Sequence, residues 1–243
     1  MENILSPKGL DPLVARRTVP VLFLILIFAG LNISGCYRPP KGSYEAIRSE
    51  LKDKPVEVKV ERLTDIIQKS GSDKEQRAAV ELLVEMGQPS VQAIIEKIKN
   101  DRTTHRDNYL LALQLIGKPA VGEVVNLLDN DKPLVREEAF AVLLAIGKDS
   151  VPVLVESLNS GDKNIRPTII NLLATIKDER AVEPLAGIFT DVKEDPKLRT
   201  QALAVLVSIG KPAIPYLAEA LHSDDKETRE AASLAIDQIY RVR

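Results

Sequence analysis

The sequence predicts an all-α solenoid of stacked helical hairpins, about thirteen helices in all, and three observations carry that reading. A glycine returns at a nearly fixed interval at Gly87, Gly117 and Gly147; Lys177 then holds the slot, and Gly210 follows. Eleven residues before each comes a polar residue of one kind: Gln76, then Arg106, Arg136, Arg166 and Arg199, with Arg229 eleven before Tyr240. Between these marks the apolar residues fall at offsets of 3, 4 and 7, the spacing of one helical face. A period of 20–50 residues marks supersecondary units that bury their apolar faces only against each other.

Each unit reads as two antiparallel helices. The first begins near the arginine and ends at the glycine, with a face such as Ala139, Phe140, Val142, Leu143 and Ile146, matched by Ala79 to Met86 and by Ala202 to Ile209. Glycine at the helix end supplies a positive φ without a Cβ penalty. Pro89, Pro119 and Pro212, two residues on, restart the chain as second helices. Those carry the stripes Val91-Ile94-Ile95-Ile98, Val121-Val124-Val125-Leu128, Val151-Leu154-Val155-Leu158, Val182-Leu185-Ala186-Phe189 and Ile214-Leu217-Ala218-Leu221. Polar turns join the units: Asn130-Asp131-Lys132, Ser160-Gly161-Asp162 and Ser223-Asp224-Asp225. Their acids are expected to cap the next helix. Tyr109 and Ile169 stand where other units have alanine and are expected to fill gaps left beside Leu110 and Pro167. Ser233 and Asp237 give the last helix a polar outer face, as a solenoid end requires.

The N-terminus reads differently. Arg16 and Arg17 precede an apolar run from Val19 to Leu31, long enough for a signal-peptide core and short of the roughly twenty residues that span a bilayer. Ile33, Ser34, Gly35 and Cys36 follow, and Cys36 is the chain's one cysteine. These residues resemble the bacterial lipobox, which implies thioether lipidation of Cys36 and cleavage just before it. Two or more acyl chains make attachment stable where one is marginal. The expected layout is a lipoprotein signal peptide over 1–35, a lipidated Cys and tether over 36–43, a degenerate leading helix pair over 44–72 and the repeat solenoid over 73–243. Tyr37, not Asp, follows the cysteine, which by the enteric sorting rule implies the outer membrane and a periplasm-facing solenoid.

Composition narrows the function. Apolar residues make up 44%, too many for general disorder, while the net charge of −2 lacks the basic excess of a nucleic-acid binder. Removing residues 1–35 takes away about +1, so the mature chain is slightly more acidic still.

The run Asp131-Lys-Pro-Leu-Val-Arg136-Glu-Glu-Ala139 into Leu143-Leu-Ala-Ile-Gly147 resembles the HEAT-like repeats of the phycobilin-lyase type, over about Asp73 to Arg243. The resemblance implies a right-handed superhelix whose second helices line the concave side. Lys177 in the glycine slot, the extra residue before Val182 and the longer turn at Val192-Lys193-Glu194 depart from the pattern.

On the second helices Glu96, Asn126, Glu156 and Glu219 share one register, with Glu123 and Tyr216 beside them. Two readings stay open: a mildly acidic surface for a basic or polar protein partner, or an ordinary solvated face. The arginine ladder is expected to be structural, pairing with turn acids. His105 and His222 are the only histidines and neither is followed by Glu, unlike the His-Glu pairs of HEAT-repeat metal hydroxylases. No metal site, cofactor, phosphate loop or nucleophile set is expected. The resulting expectation is a monomeric, membrane-anchored, non-catalytic scaffold or adaptor. The alternative is an enzyme or lyase-like accessory subunit with a small-molecule pocket between repeats.

Overall fold

The structure, a computed structural model, describes residues 41–100, 103–159 and 164–241, so the signal segment and Cys36 lie outside the described residues. Among those residues there are thirteen α-helices and no strand. One row of helices comprises α1 (Lys41–Leu51), α3 (Asp73–Met86), α5 (Arg106–Ile116), α7 (Pro133–Ile146), α9 (Arg166–Ile176), α11 (Pro196–Ile209) and α13 (Lys226–Arg241). A second row comprises α2 (Val56–Lys69), α4 (Gln88–Lys99), α6 (Val121–Asn126), α8 (Val151–Asn159), α10 (Val182–Thr190) and α12 (Ile214–Ala220). Each first-row helix packs against its neighbours in that row, and each second-row helix packs against the first-row helix that follows it in the chain. The fold is therefore the predicted all-α solenoid.

The core runs through the whole stack as one cluster. The stripes of α4, α6 and α10 are buried throughout, and α8 keeps Val151, Leu154 and Leu158 covered. The last unit departs: Ala220 takes the buried place and Leu221 is exposed, and no second-row helix follows α12 among the described residues. At this end Ser233 and Asp237 face solvent as expected, but Leu234 and Tyr240 do so as well, at 70% and 60% exposure. The end is only partly polar. At the other end α1 starts at Lys41, three residues before the expected boundary. Gly42 and Ser43 are tolerated there because first-turn N–H groups have no helical partner in any case.

The helix-closing glycines share one conformation. Gly87, Gly117, Gly147 and Gly210 have φ of 63°, 69°, 67° and 88° with ψ between −131° and −133°. That region is open essentially to glycine alone. Lys177 solves the same corner otherwise: it sits in the left-handed helical region at φ 53°, ψ 48°, and Asp178 adds an extended residue before the chain turns into the next helix. Two residues do the work of one glycine, which accounts for the extra position. Asp178, nearly buried, accepts from the Arg180 backbone N–H and from its guanidinium, which holds its carboxyl below the usual carboxylate range.

Three residues after Gly87 and Gly147, Ser90 and Ser150 are fully buried and donate back to helix-end carbonyls; Ala120 and Ala213 fill the slot elsewhere. Capping by turn acids holds at Asp225, which accepts from the Thr228 N–H at 2.9 Å, and at Asp195, which caps α11. It fails at Asp131. The N-cap there is Lys132, and Asn130 holds the turn through the Lys132 N–H. Asp162 lies outside the described residues.

The ladder residues staple the stack. Four reach back six residues to the turn that precedes them, Gln76 to Ser70 O, Arg106 to Asn100 O, Arg136 to Asn130 O and Arg229 to Ser223 O, and Arg199 donates to Phe189 O, ten residues back. Most also reach forward one unit. Gln76 accepts from Asn108, Arg106 holds Glu138 through two N–H groups, Arg166 pairs with Glu194 at 2.6 Å, and Arg199 donates to Thr228. Tyr109 adds a longer tie. Fully buried, it donates to Thr64 O of α2 at 3.0 Å, and burial pushes its phenol up to about 12. It fills space as expected, and it also binds α5 to the leading pair.

Gly147→Ala is expected to cost about 1–3 kcal/mol of backbone strain, although nothing lies within 4 Å of its Cβ position, whereas Lys177→Gly stays within about 1 kcal/mol of neutral; urea unfolding checks both. Glu138→Ala leaves the Arg106 guanidinium largely buried without its carboxylate and is expected to cost about 3 kcal/mol, more than replacing both residues with apolar ones. Because the Asp178 carboxyl is depressed in the fold, its contribution is present above about pH 4 and fades as pH falls through its folded value. Asp178→Asn should therefore lower Tm at pH 6 and much less at pH 2.

Candidate protein-binding face

The first-row helices carry the staples, whereas the second-row helices carry a register of exposed polar side chains. Glu96, Asn126, Glu156 and Glu219 are exposed on α4, α6, α8 and α12. Glu123 and Tyr216, one slot round the helix, are only half exposed, so the open strip is narrower than the sequence grouping. Successive second-row helices adjoin, which places these side chains in a row across the stack. Glu96 is partly neutralised by Lys99 at 3.3 Å and accepts from Gln92; Glu156 and Glu219 form no ion pair or hydrogen bond among the described residues. Past α4 no lysine or arginine occurs in α6, α8, α10 or α12, while Glu123, Glu156, Glu183 and Glu219 do.

A second row escaped the sequence reading. Lys118, Lys148 and Lys211 each follow a glycine, are exposed, and stand eight residues before Asn126, Glu156 and Glu219. The signal was available in that constant offset, hidden because the lysines belong to the turns and the acids to the helices.

Clefts among the described residues lie between units rather than within them. One, about 260 Å³, opens between α1, α2 and α3 and is lined by Arg48, Lys52, Lys59 and Glu85 around Leu63 and Met86. Beside it Tyr44 donates to Glu85 and carries Arg48 over its ring at 5.6 Å. Another, about 480 Å³, lies along the turns of three successive units, with Lys148, Lys177, Asp178 and Arg180 facing Ile209 and Pro212. Neither brings a nucleophile and a base together. No group of three metal-ligating side chains occurs among the described residues, and no helix there is long and apolar enough to cross a membrane.

The HEAT-repeats family model matches residues 123–194 and 151–237. No curated protein matches the chain. Human deoxyhypusine hydroxylase in complex with glycerol is similar in structure at TM-score 0.40 and 22% identity, over 97% of this chain and 93% of that one. A designed armadillo repeat protein in complex with the peptide (KR)4 aligns at TM-score 0.34 and 14% identity, over 80% and 98%. An engineered protein from a structural genomics consortium aligns at 0.33 and 20%, over 82% and 97%. At these TM-scores none of the three speaks to function. The matched stretch, residues 123–237, lies wholly within the hairpin stack, and over it the chain is similar to HEAT repeats.

Proposed function

We propose that this chain is a non-catalytic scaffold or adaptor that binds another protein through the concave, second-row face of its solenoid. It is held at the bacterial cell envelope, facing the periplasm, by a lipid on Cys36. The observation that carries the binding role is the exposed register of Glu96, Asn126, Glu156 and Glu219, in which Glu156 and Glu219 form no ion pair or hydrogen bond among the described residues. Such a row favours a partner of basic or polar character, and a repeated surface of this length suits an extended contact. The anchor rests on the order Ile33-Ser34-Gly35-Cys36 after an apolar run.

In-cell crosslinking of the full chain followed by mass spectrometry should recover a protein partner. Glu156→Lys with Glu219→Lys should cut that recovery at least tenfold while leaving the helical circular dichroism unchanged. Undiminished recovery would place the contact elsewhere. Metabolic labelling with a fatty-acid analogue should mark the chain, and Cys36→Ala should remove the label.

A further inference from the structure

The second-row face holds more than an acidic strip. Four residues before Asn126, Glu156 and Glu219 stand Gly122, Pro152 and Pro215, all exposed. Four residues earlier again come Lys118, Lys148 and Lys211. Steps of four stay on one side of a helix, so each of these three units presents a lysine, a bare middle and an acid or amide in line. The lysine lies in the opening 3-10 turn or just before the helix, and Glu156 and Glu219 lie near its end. Both placements oppose the helix dipole, which favours acids at the start and cations at the end. Helix stability therefore does not account for the pattern, and the side chains of Lys118, Lys148, Lys211, Glu156 and Glu219 make no hydrogen bond or ion pair among the described residues.

Cations recur along the turns from unit to unit. Lys148, Lys177, Arg180 and Pro212, from three successive turns, line one cleft together with Asp178 and Glu179, and Arg180 donates to Lys148 O at 2.7 Å. The fourth unit breaks the lysine-to-acid line, reading Glu179, Glu183, Gly187, but Lys177 and Arg180 keep cations at the turn edge. The result is a trough with a basic rail along the turns and an acidic rail along the helix ends. The rails are about 12 Å apart, eight residues at 1.5 Å each. On the line between them stand Gly122, Pro152 and Pro215, with the half-exposed Glu123 and Tyr216 one slot to the side in two of the three units.

That geometry selects among partner shapes. An α-helix is roughly 10 Å across and fits between the rails. Stacked helices repeat at about 8–10 Å, and a helix advances about 10.5 Å in seven residues, so a seven-residue charge repeat keeps pace with the units. An extended strand covers the same pitch in about three residues, and every third side chain alternates faces, so it serves a given rail only at every second unit. We propose that the trough receives an α-helix of the partner protein lying along the stack, acidic on the flank that meets Lys118, Lys148 and Lys211, basic on the flank that meets Glu156 and Glu219. This rests on the protein-binding reading above and specifies its partner as a helix charged oppositely on its two flanks at seven-residue intervals.

The full chain in detergent micelles is titrated, by fluorescence anisotropy, with three synthetic helical peptides of equal length. One carries Glu on one flank and Lys on the other at seven-residue spacing, the second carries Lys on both flanks, and the third scrambles the first. The two-flank peptide should bind at least tenfold tighter than either of the others. Lys148→Glu with Lys211→Glu should weaken it tenfold or more without weakening the all-Lys peptide, and Glu156→Lys with Glu219→Lys should weaken both. If the all-Lys peptide binds as tightly as the two-flank one, or the lysine reversals leave the two-flank peptide untouched, the basic rail is idle; the inference falls and the acidic-strip reading stands. If no peptide binds, or binding ignores the glutamate reversals, both fall.

Discussion

Everything in this molecule depends on one constraint: a helical hairpin with a single apolar flank on each side can hide it only against another hairpin. Tyr109 shows how completely that rule operates, since its whole side chain is buried in contacts between units. Leu221 shows the converse. It belongs to the same stripe position as Ile98, Leu128 and Leu158, all buried, and it is open to solvent on the last second-row helix of the described residues. Burial here is a property of having neighbours, not of residue type.

Apolar stacking alone would leave the hairpins free to slide, since hydrophobic contact is non-directional. Direction comes from the ladder residues, which bond back to the turn behind them and forward to the unit ahead. Gln76 and Arg106 perform the same pair of contacts with different chemistry, amide to amide in one unit and guanidinium to carboxylate in the next. What recurs is therefore a geometric role, and charge is one way to fill it. The regularity of the arginine series thus follows from the repeat of the fold, in which every one of its arginines has a partner inside the stack.

Much of the fold was legible because its determinants are local and periodic. The glycine slot, the proline two residues on and the 3-4-7 stripes each act within one helix or one turn. The misreadings occurred where the deciding partner was distant or the choice was between near equals. Nothing local told Asn130 from Asp131 as the residue holding its turn, and nothing in 214–221 announced that Ala220 would be covered in place of Leu221. The candidate face was half legible. Its acids share a register visible in the sequence, while the lysines that oppose them sit across an element boundary, where a search by helix separates what the fold puts side by side. Glu123 and Tyr216 are half covered in the stack, which a stripe count does not contain.

The corner at Lys177 and Asp178 bears on how such an array changes over time. One unit turns with a glycine and the next with two ordinary residues, yet Val182, Leu185 and Phe189 reach the same depth as their counterparts. Alignment between layers is thus fixed by which side chains nest together, and the connecting backbone merely has to reach. A lineage can lengthen or trim a bend without re-inventing the layers on either side, so a strict thirty-residue count is a habit of the sequence and no requirement of the architecture.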